Sequence, residues 1–291
     1  MRYATLERDG GRILEYLVAG AEAADAIVLH HGTPSDASLW ESWNDACATA
    51  GLRMIALSRA GYGNSARAAG RSVCDAAADV AAVLDAQGVD EFVTAGWSGG
   101  GPHALACGAL LAPRCRAVAT FAGVGAYGAP DLDFLDGMGP ENHEEFGAAL
   151  QGEASVRAWL EANASDYRTV TAQAIADAFG GLVSQVDRDA LADGFAEASA
   201  ATMRRSLANG FDGWVDDDMA FVRPWGFDLR DVRVPVTVWQ GDQDFMVPRA
   251  HGTWLAAKLP EARLAYVPGE GHISLLTRHS DRMVAQLRAA L

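Results

Sequence analysis

Apolar residues in this chain gather into short unbroken runs, and stretches with helical spacing separate them. Ala26-Ile27-Val28-Leu29-His30 carries no polar residue before its end, the pattern of a strand buried on both faces. Arg53-Met54-Ile55-Ala56-Leu57, Glu91-Phe92-Val93-Thr94-Ala95 and residues 117–122 repeat it. Between these runs, Leu39, Trp40, Trp43 and Ala46 predict one helix. Val73, Ala77, Val80 and Leu84 predict an amphipathic helix over residues 72–87, and Ala104, Leu105 and Leu111 a third. Ahead of them, residues 3–7 and 13–18 flank Asp9-Gly10-Gly11 and read as a hairpin. Strands that alternate with helices predict a parallel sheet covered on both faces.

The alternation stops after residue 123. Residues 124–231 show no convincing strand, only helical stretches near 141–151, 153–163, 170–183 and 187–208; in the last, Leu191, Phe195, Ala198 and Thr202 share a face. Alternation resumes with a strand over 234–239, a helix near 250–259, a strand over 263–267 and a last helix from about 275. The expected organisation is an α/β core of residues 1–123 and 232–291, interrupted by a helical insertion over 124–231.

Charge sharpens this division. The formal net charge is −15, and the insertion alone holds 20 Asp and Glu against 7 Arg. A solvated helical surface accounts for that; so does an entrance that repels anionic ligands. No basic stripe is available for nucleic acid. No apolar run reaches the ~18 residues of a membrane span, and the first residues lack a signal-peptide core. Cys47, Cys74, Cys107 and Cys115 are scattered without CxxC spacing and read as reduced thiols, so the expectation is a cytoplasmic protein. One lysine, Lys258, stands against 22 arginines in an alanine-rich chain, a usage like that of high-GC bacteria.

The chemistry concentrates after the predicted strands. Gly96-Trp97-Ser98-Gly99-Gly100 follows one of them and places Ser98 on a tight strand-to-helix turn, which needs very small residues two before and two after the serine. A serine hydroxyl requires a base. His272, in Pro268-Gly269-Glu270-Gly271-His272, follows another strand at the same sheet edge. An acid must orient that imidazole. Gln240-Gly241-Asp242-Gln243-Asp244 offers two, of which Asp244 is the choice and Asp242 serves the turn; Asp131 and Asp133 are alternatives. Oxyanion donors are expected from the N–H groups of Gly99, at its helix start, and Thr33, because Pro34 in His31-Gly32-Thr33-Pro34 has none. Trp40, Trp97, Phe245 and Met246 stand beside these motifs and read either as an apolar substrate pocket or as core, as does Trp43. Asp216-Asp217-Asp218 reads as a polar turn rather than a metal site. His30 and His31 point oppositely in a strand, which argues against joint metal ligation, and His103 reads as a packed helix residue.

Together these motifs resemble the α/β-hydrolase fold with a helical cap. The serine–acid–histidine chain order, the His-Gly-x-Pro loop, the Gly-x-Ser-x-Gly turn, the Gly-Asp-x-Asp-x-x-Val-Pro loop and the terminal Gly-His all match, as does Arg59-Ala60-Gly61-Tyr62-Gly63-Asn64-Ser65. Ser58 stands where many relatives carry Asp. The resemblance implies a cofactor-independent and metal-free serine hydrolase of the carboxylesterase type, acting on a small to medium, largely apolar small-molecule ester. Members that open epoxides or displace halide typically carry aspartate at the nucleophile position, and the iminopeptidase branch has a His-Gly-Gly-Pro-Gly loop absent here. Acyl transfer, C–C bond hydrolysis, cofactor-free perhydrolysis and a binding protein with a vestigial triad stay as alternatives, with a homodimer left open.

Overall fold

The computed structural model describes residues 1–178 and 183–291 and is organised on one eight-stranded sheet. Strands β1 (Arg2–Arg8) and β2 (Arg12–Gly20) form the antiparallel hairpin, turning at Gly10 with φ +74°. There follow β3 (Ala26–His30), α1 (Asn44–Thr49), β4 (Arg53–Leu57), α2 (Asp75–Gln87), β5 (Phe92–Trp97), α3 (Gly100–Leu110) and β6 (Cys115–Phe121). Among the described residues, the α-helices that come next are α4 (Pro140–Leu150), α5 (Glu153–Asn163), α6 (Ala172–Ala178), α7 (Gln185–Ala190), α8 (Ala196–Ser206) and α9 (Asp212–Phe221). The chain returns to the sheet through β7 (Val236–Gly241), α10 (Arg249–Lys258) and β8 (Ala262–Val267), and ends with α11 (His272–Arg278) and α12 (Ser280–Arg288).

The strand order is β1-β2-β4-β3-β5-β6-β7-β8, parallel from β4 onward. From β3 the chain winds one way to β4 and the other way to β5. That reversal opens a crevice at the carboxyl ends of β3 and β5, where His30 pairs with Gly96. The central strands β3 to β7 are buried on both faces, and successive residues of β3 serve opposite cores. Ala26 and Val28 join Val80, Leu84 and Leu105 on the α2–α3 side; Ile27 and Leu29 join Trp40, Trp43 and Leu287 on the other.

The helices between β6 and β7 have a core of their own, with Leu160, Met203, Trp214 and Val215 in it. It closes over Tyr62 and Ile273 from the sheet region. Two expectations change here. The continuous helix over 187–208 is split, because Gly194 adopts φ +106° between α7 and α8. Asp216-Asp217-Asp218, expected as a polar turn, is fully buried within α9, because Arg67 and Arg71 neutralise Asp216 and Asp217 from the loop ahead of α2. Residues 179–182 of the helix predicted over 170–183 lie outside the described residues. Among the described residues, no helix is long and apolar enough to cross a membrane.

Trp40 shows how little of the sheet core touches solvent. It is completely buried, with its ring 4.9 Å from that of Trp43, which in turn packs on Phe121. Trp40→Ala is expected to lower unfolding free energy by about 3–5 kcal/mol in equilibrium urea unfolding. Phe245→Ala, at a residue 44 % exposed, should change it by under about 0.5 kcal/mol.

Candidate active site

Ser98 sits between β5 and α3 with φ +55°, a left-handed conformation that a non-glycine residue adopts only when its surroundings impose it. The surroundings are close backbone contacts. A Cβ on Gly96 would lie 2.1 Å from the Gly100 carbonyl oxygen, and one on Gly100 2.1 Å from that of His30. The Ser98 N–H donates to the Phe121 carbonyl at 2.9 Å, which ties the turn to β6. Its hydroxyl has no hydrogen-bond partner among the described residues and lines a cavity of about 330 Å³.

His272 begins α11, and its Nδ1 lies 2.9 Å from Asp244 Oδ2, both side chains buried. A carboxylate can only accept, so Nδ1 carries the proton and Nε2 keeps its lone pair. Asp244 is fixed in turn: its Oδ1 accepts from the N–H groups of Met246 at 3.0 Å and Val247 at 2.8 Å. Asp242 accepts from the Gly269 N–H at 2.8 Å, and Asp131 pairs with Trp254 and Lys258, so neither faces His272. The indole N–H of Trp97, the neighbour of Ser98, donates to the His272 carbonyl at 3.1 Å, and its ring lies 4.9 Å from the imidazole.

On the other side of Ser98 stands the loop after β3. Thr33 and Gly99 both line the cavity beside Ser98, and a Cβ on Gly99 would fall 2.6 Å from Thr33 Oγ1. Neither backbone N–H donates a hydrogen bond among the described residues. Arg59 holds the loop in this shape. Its guanidinium donates to the His31 carbonyl, and to that of Gly32 at 3.0 Å. Asp217 of α9 pairs with Arg59 at 2.6 Å and accepts from Thr33 Oγ1 at 2.6 Å. Burial alone would raise the Asp217 carboxyl, but the Arg59 and Arg71 guanidiniums hold it well below the usual carboxylate range.

Asp187 was not foreseen in the sequence. This wholly buried residue of α7 accepts from the backbone N–H groups of His272, Ile273 and Ser274, each at 2.9 Å. It thus caps the helix that carries His272. Gly271 makes room for it: a Cβ there would lie 2.3 Å from Asp187 Oδ2. No local motif announces such a cap, since its donors lie 85 to 87 residues away.

The four residues weighed for the pocket separate. Met246 lines the cavity. Trp40 does not, because it is sealed in the sheet core; Phe245 points outward; Trp97 stands behind the site between His272 and Phe195. Instead, the cavity walls are Phe146, Trp159, Tyr167 and Trp214 from the inserted helices, together with Glu145 and Asp218. Sequence pattern marks these aromatics only as residues of amphipathic helices, which is also how core residues read. Among the described residues no cluster of His, Cys, Asp and Glu has the placement of a metal site.

Comparison with known proteins places this arrangement. Over 157 residues the chain is 29 % identical to Epoxide hydrolase B of Mycobacterium tuberculosis, covering 46 % of this chain and 44 % of that protein, so the match spans under half of the relative's length. The enol-lactonase from Burkholderia xenovorans LB400 superposes with a TM-score of 0.72 at 20 % identity, covering 99 % of each chain. The esterase RhEst1 from Rhodococcus sp. ECU1013 does so with a TM-score of 0.69 at 24 % identity, covering 99 % of this chain and 98 % of that one. These likenesses carry the fold. The family model for the alpha/beta hydrolase fold matches residues 25–278, and the chain belongs to that family.

Proposed function

We propose that the protein is a serine hydrolase of carboxylic esters or closely related acyl compounds, with the helices of residues 124–231 acting as its cap. The observation that carries this reading is the 2.9 Å pairing of buried His272 and Asp244, packed on Trp97, the chain neighbour of a serine held at φ +55° over a cavity. Ser98 Oγ attacks the carbonyl carbon while His272 Nε2 takes its proton, and Asp244 stabilises the imidazolium. The carbonyl oxygen becomes an oxyanion that accepts from the free N–H groups of Thr33 and Gly99. His272 returns the proton to the departing alkoxide, which leaves Ser98 acylated. A water then loses a proton to His272, attacks the acyl carbon and releases the acid, and the proton returns to Ser98.

Serine at position 98 separates this reading from the chemistry named in Epoxide hydrolase B, because the epoxide-opening branch of the resemblance uses aspartate there. A carboxylate nucleophile opens the epoxide to an ester that water must cleave. A serine attacking the same ring would leave a stable ether, with no carbonyl for hydrolysis.

Hydrolysis of p-nitrophenyl acetate and butyrate is the direct assay, and Ser98→Ala and His272→Ala should each lower kcat by about 10³-fold or more. Labelling with a fluorophosphonate followed by peptide mapping should place the adduct on Ser98; an adduct elsewhere overturns the reading. Asp187→Ala should lower kcat about tenfold or more with KM little changed, since it loosens the helix that aims His272 and leaves the cavity walls intact. An unchanged kcat would show that α11 holds His272 without that cap.

A further inference from the structure

The cavity over Ser98 has a charge pattern that the proposed ester hydrolysis does not use. Glu145 of α4 and Asp218 of α9 face each other across its inner wall, and Glu141 and Glu144 also line it. Among the described residues lining it there is no lysine, arginine or histidine. Arg71 acts on Asp218 through its charge, while its Nη2 donates to Asp217 at 2.7 Å and to the Gly213 carbonyl at 3.1 Å.

The two carboxyls are incompletely satisfied. Trp214 Nε1 donates to Glu145 Oε1 at 2.5 Å, but Asp218 is 1 % exposed and its Oδ2 has no hydrogen-bond donor. Burial, and for Asp218 also the charges of Glu145 and Asp217, push both carboxyls upward. The geometry leaves an acceptor without a donor, Asp218 Oδ2, in a cavity wall that carries no cation among the described residues. Aromatic residues border it: Trp214 stacks on Tyr167 with 6.2 Å between centroids and 3° between planes, and Trp159 lines the same cavity.

Buried carboxyl oxygens lacking donors, in a cavity lined by aromatic residues, suit one ligand class: a small organic cation whose N–H groups donate to those oxygens and whose charge is favoured beside aromatic rings. We propose that Glu145 and Asp218 form an ammonium subsite, so that the favoured substrates are esters bearing a protonated amine. The proposal rests on the hydrolase reading for the ester, but not for the binding of the amine. A cavity of about 330 Å³ is at the lower end of ligand pockets and holds a group the size of a benzylamine or a short aminoalkyl chain. Anionic substrates are disfavoured by the same four carboxyls.

Calorimetric titration of the full-length protein with benzylammonium, benzyl alcohol and phenylacetate at neutral pH tests the subsite without turnover. Benzylammonium should bind at least about tenfold tighter than benzyl alcohol, and phenylacetate weakest, as a charge-assisted hydrogen bond of ~1.5–3 kcal/mol requires. Glu145→Gln and Asp218→Asn should each erase most of that preference. In turnover, kcat/KM for p-nitrophenyl 6-aminohexanoate should exceed that for the heptanoate about tenfold or more. Equal binding of benzylammonium and benzyl alcohol overturns the proposal, as does a preference that survives both substitutions. Should either variant fail to fold, the comparison of the three ligands on the unaltered protein still decides. Benzylammonium binding without hydrolysis of either ester would sink the hydrolase reading and leave the subsite standing.

Discussion

One buried carboxylate, Asp217, holds the two halves of this molecule in register. It lies on α9 between β6 and β7, yet its partners are Thr33, Arg59, Tyr62 and Arg71, all from the segments that follow β3 and β4. Two guanidiniums and one carboxylate buried together are tolerable only while every charge keeps its partners; removing the carboxylate would strand two cations in a dry interior, at a cost of about 3–5 kcal/mol. Arg59 is the hinge of the arrangement. While Asp217 neutralises it, its remaining N–H groups collect the His31 and Gly32 carbonyls, and the loop is left with the Thr33 N–H unpaired beside Ser98.

Asp187 performs the matching task on the far side of Ser98. It too comes from the inserted helices, is wholly buried and acts on the backbone of the sheet region, here the first turn of α11. Between them the two aspartates fix both neighbours of the serine: the loop that faces its oxygen and the helix that carries His272. The helices between β6 and β7 therefore hold both of these segments in place as well as lining the cavity at Ser98. Displacing them would cost backbone hydrogen bonds and buried ion pairs in addition to apolar contact, so large opening motions of α7 and α9 are disfavoured. Glu141 and Glu144, which also line the cavity, lie on the exposed side of α4.

How far the sequence could be read follows from the range of each interaction. Strands buried on both faces announce themselves in consecutive residues, so β3, β4, β5 and β7 are legible in the apolar runs. The turn at Ser98 is legible because backbone crowding at Gly96 and Gly100 acts within five residues. Pairing of His272 with Asp244 is legible only because both follow strands of one parallel sheet. Asp187 and Asp217 are not legible: their donors lie 85 or more residues away, and no periodicity encodes a carboxylate meant for another segment. For the same reason Asp216-Asp217-Asp218 looks like a solvated turn, since its burial is explained by arginines at positions 59, 67 and 71. Trp40 fails in the opposite direction. An aromatic beside a catalytic loop has the same spacing whether it faces a cavity or the core, and only the packing of Trp43 and Phe121 decides.

The acids of the helices between β6 and β7 differ in what satisfies them. Asp187 is met by three backbone N–H groups, Asp216 by Arg67, and Asp217 by Arg59 and Arg71. Each of these sits where the helices join the sheet region, and each is fully partnered there. Glu145 and Asp218 have only the Trp214 indole N–H and each other, and they alone of this group face the cavity. A fold that neutralises its other buried carboxylates with N–H groups or guanidiniums had the same means within reach of Asp218, since Arg71 lies close by. The absence of a cation among the described residues of the cavity wall is the pattern on which the proposed ammonium subsite rests.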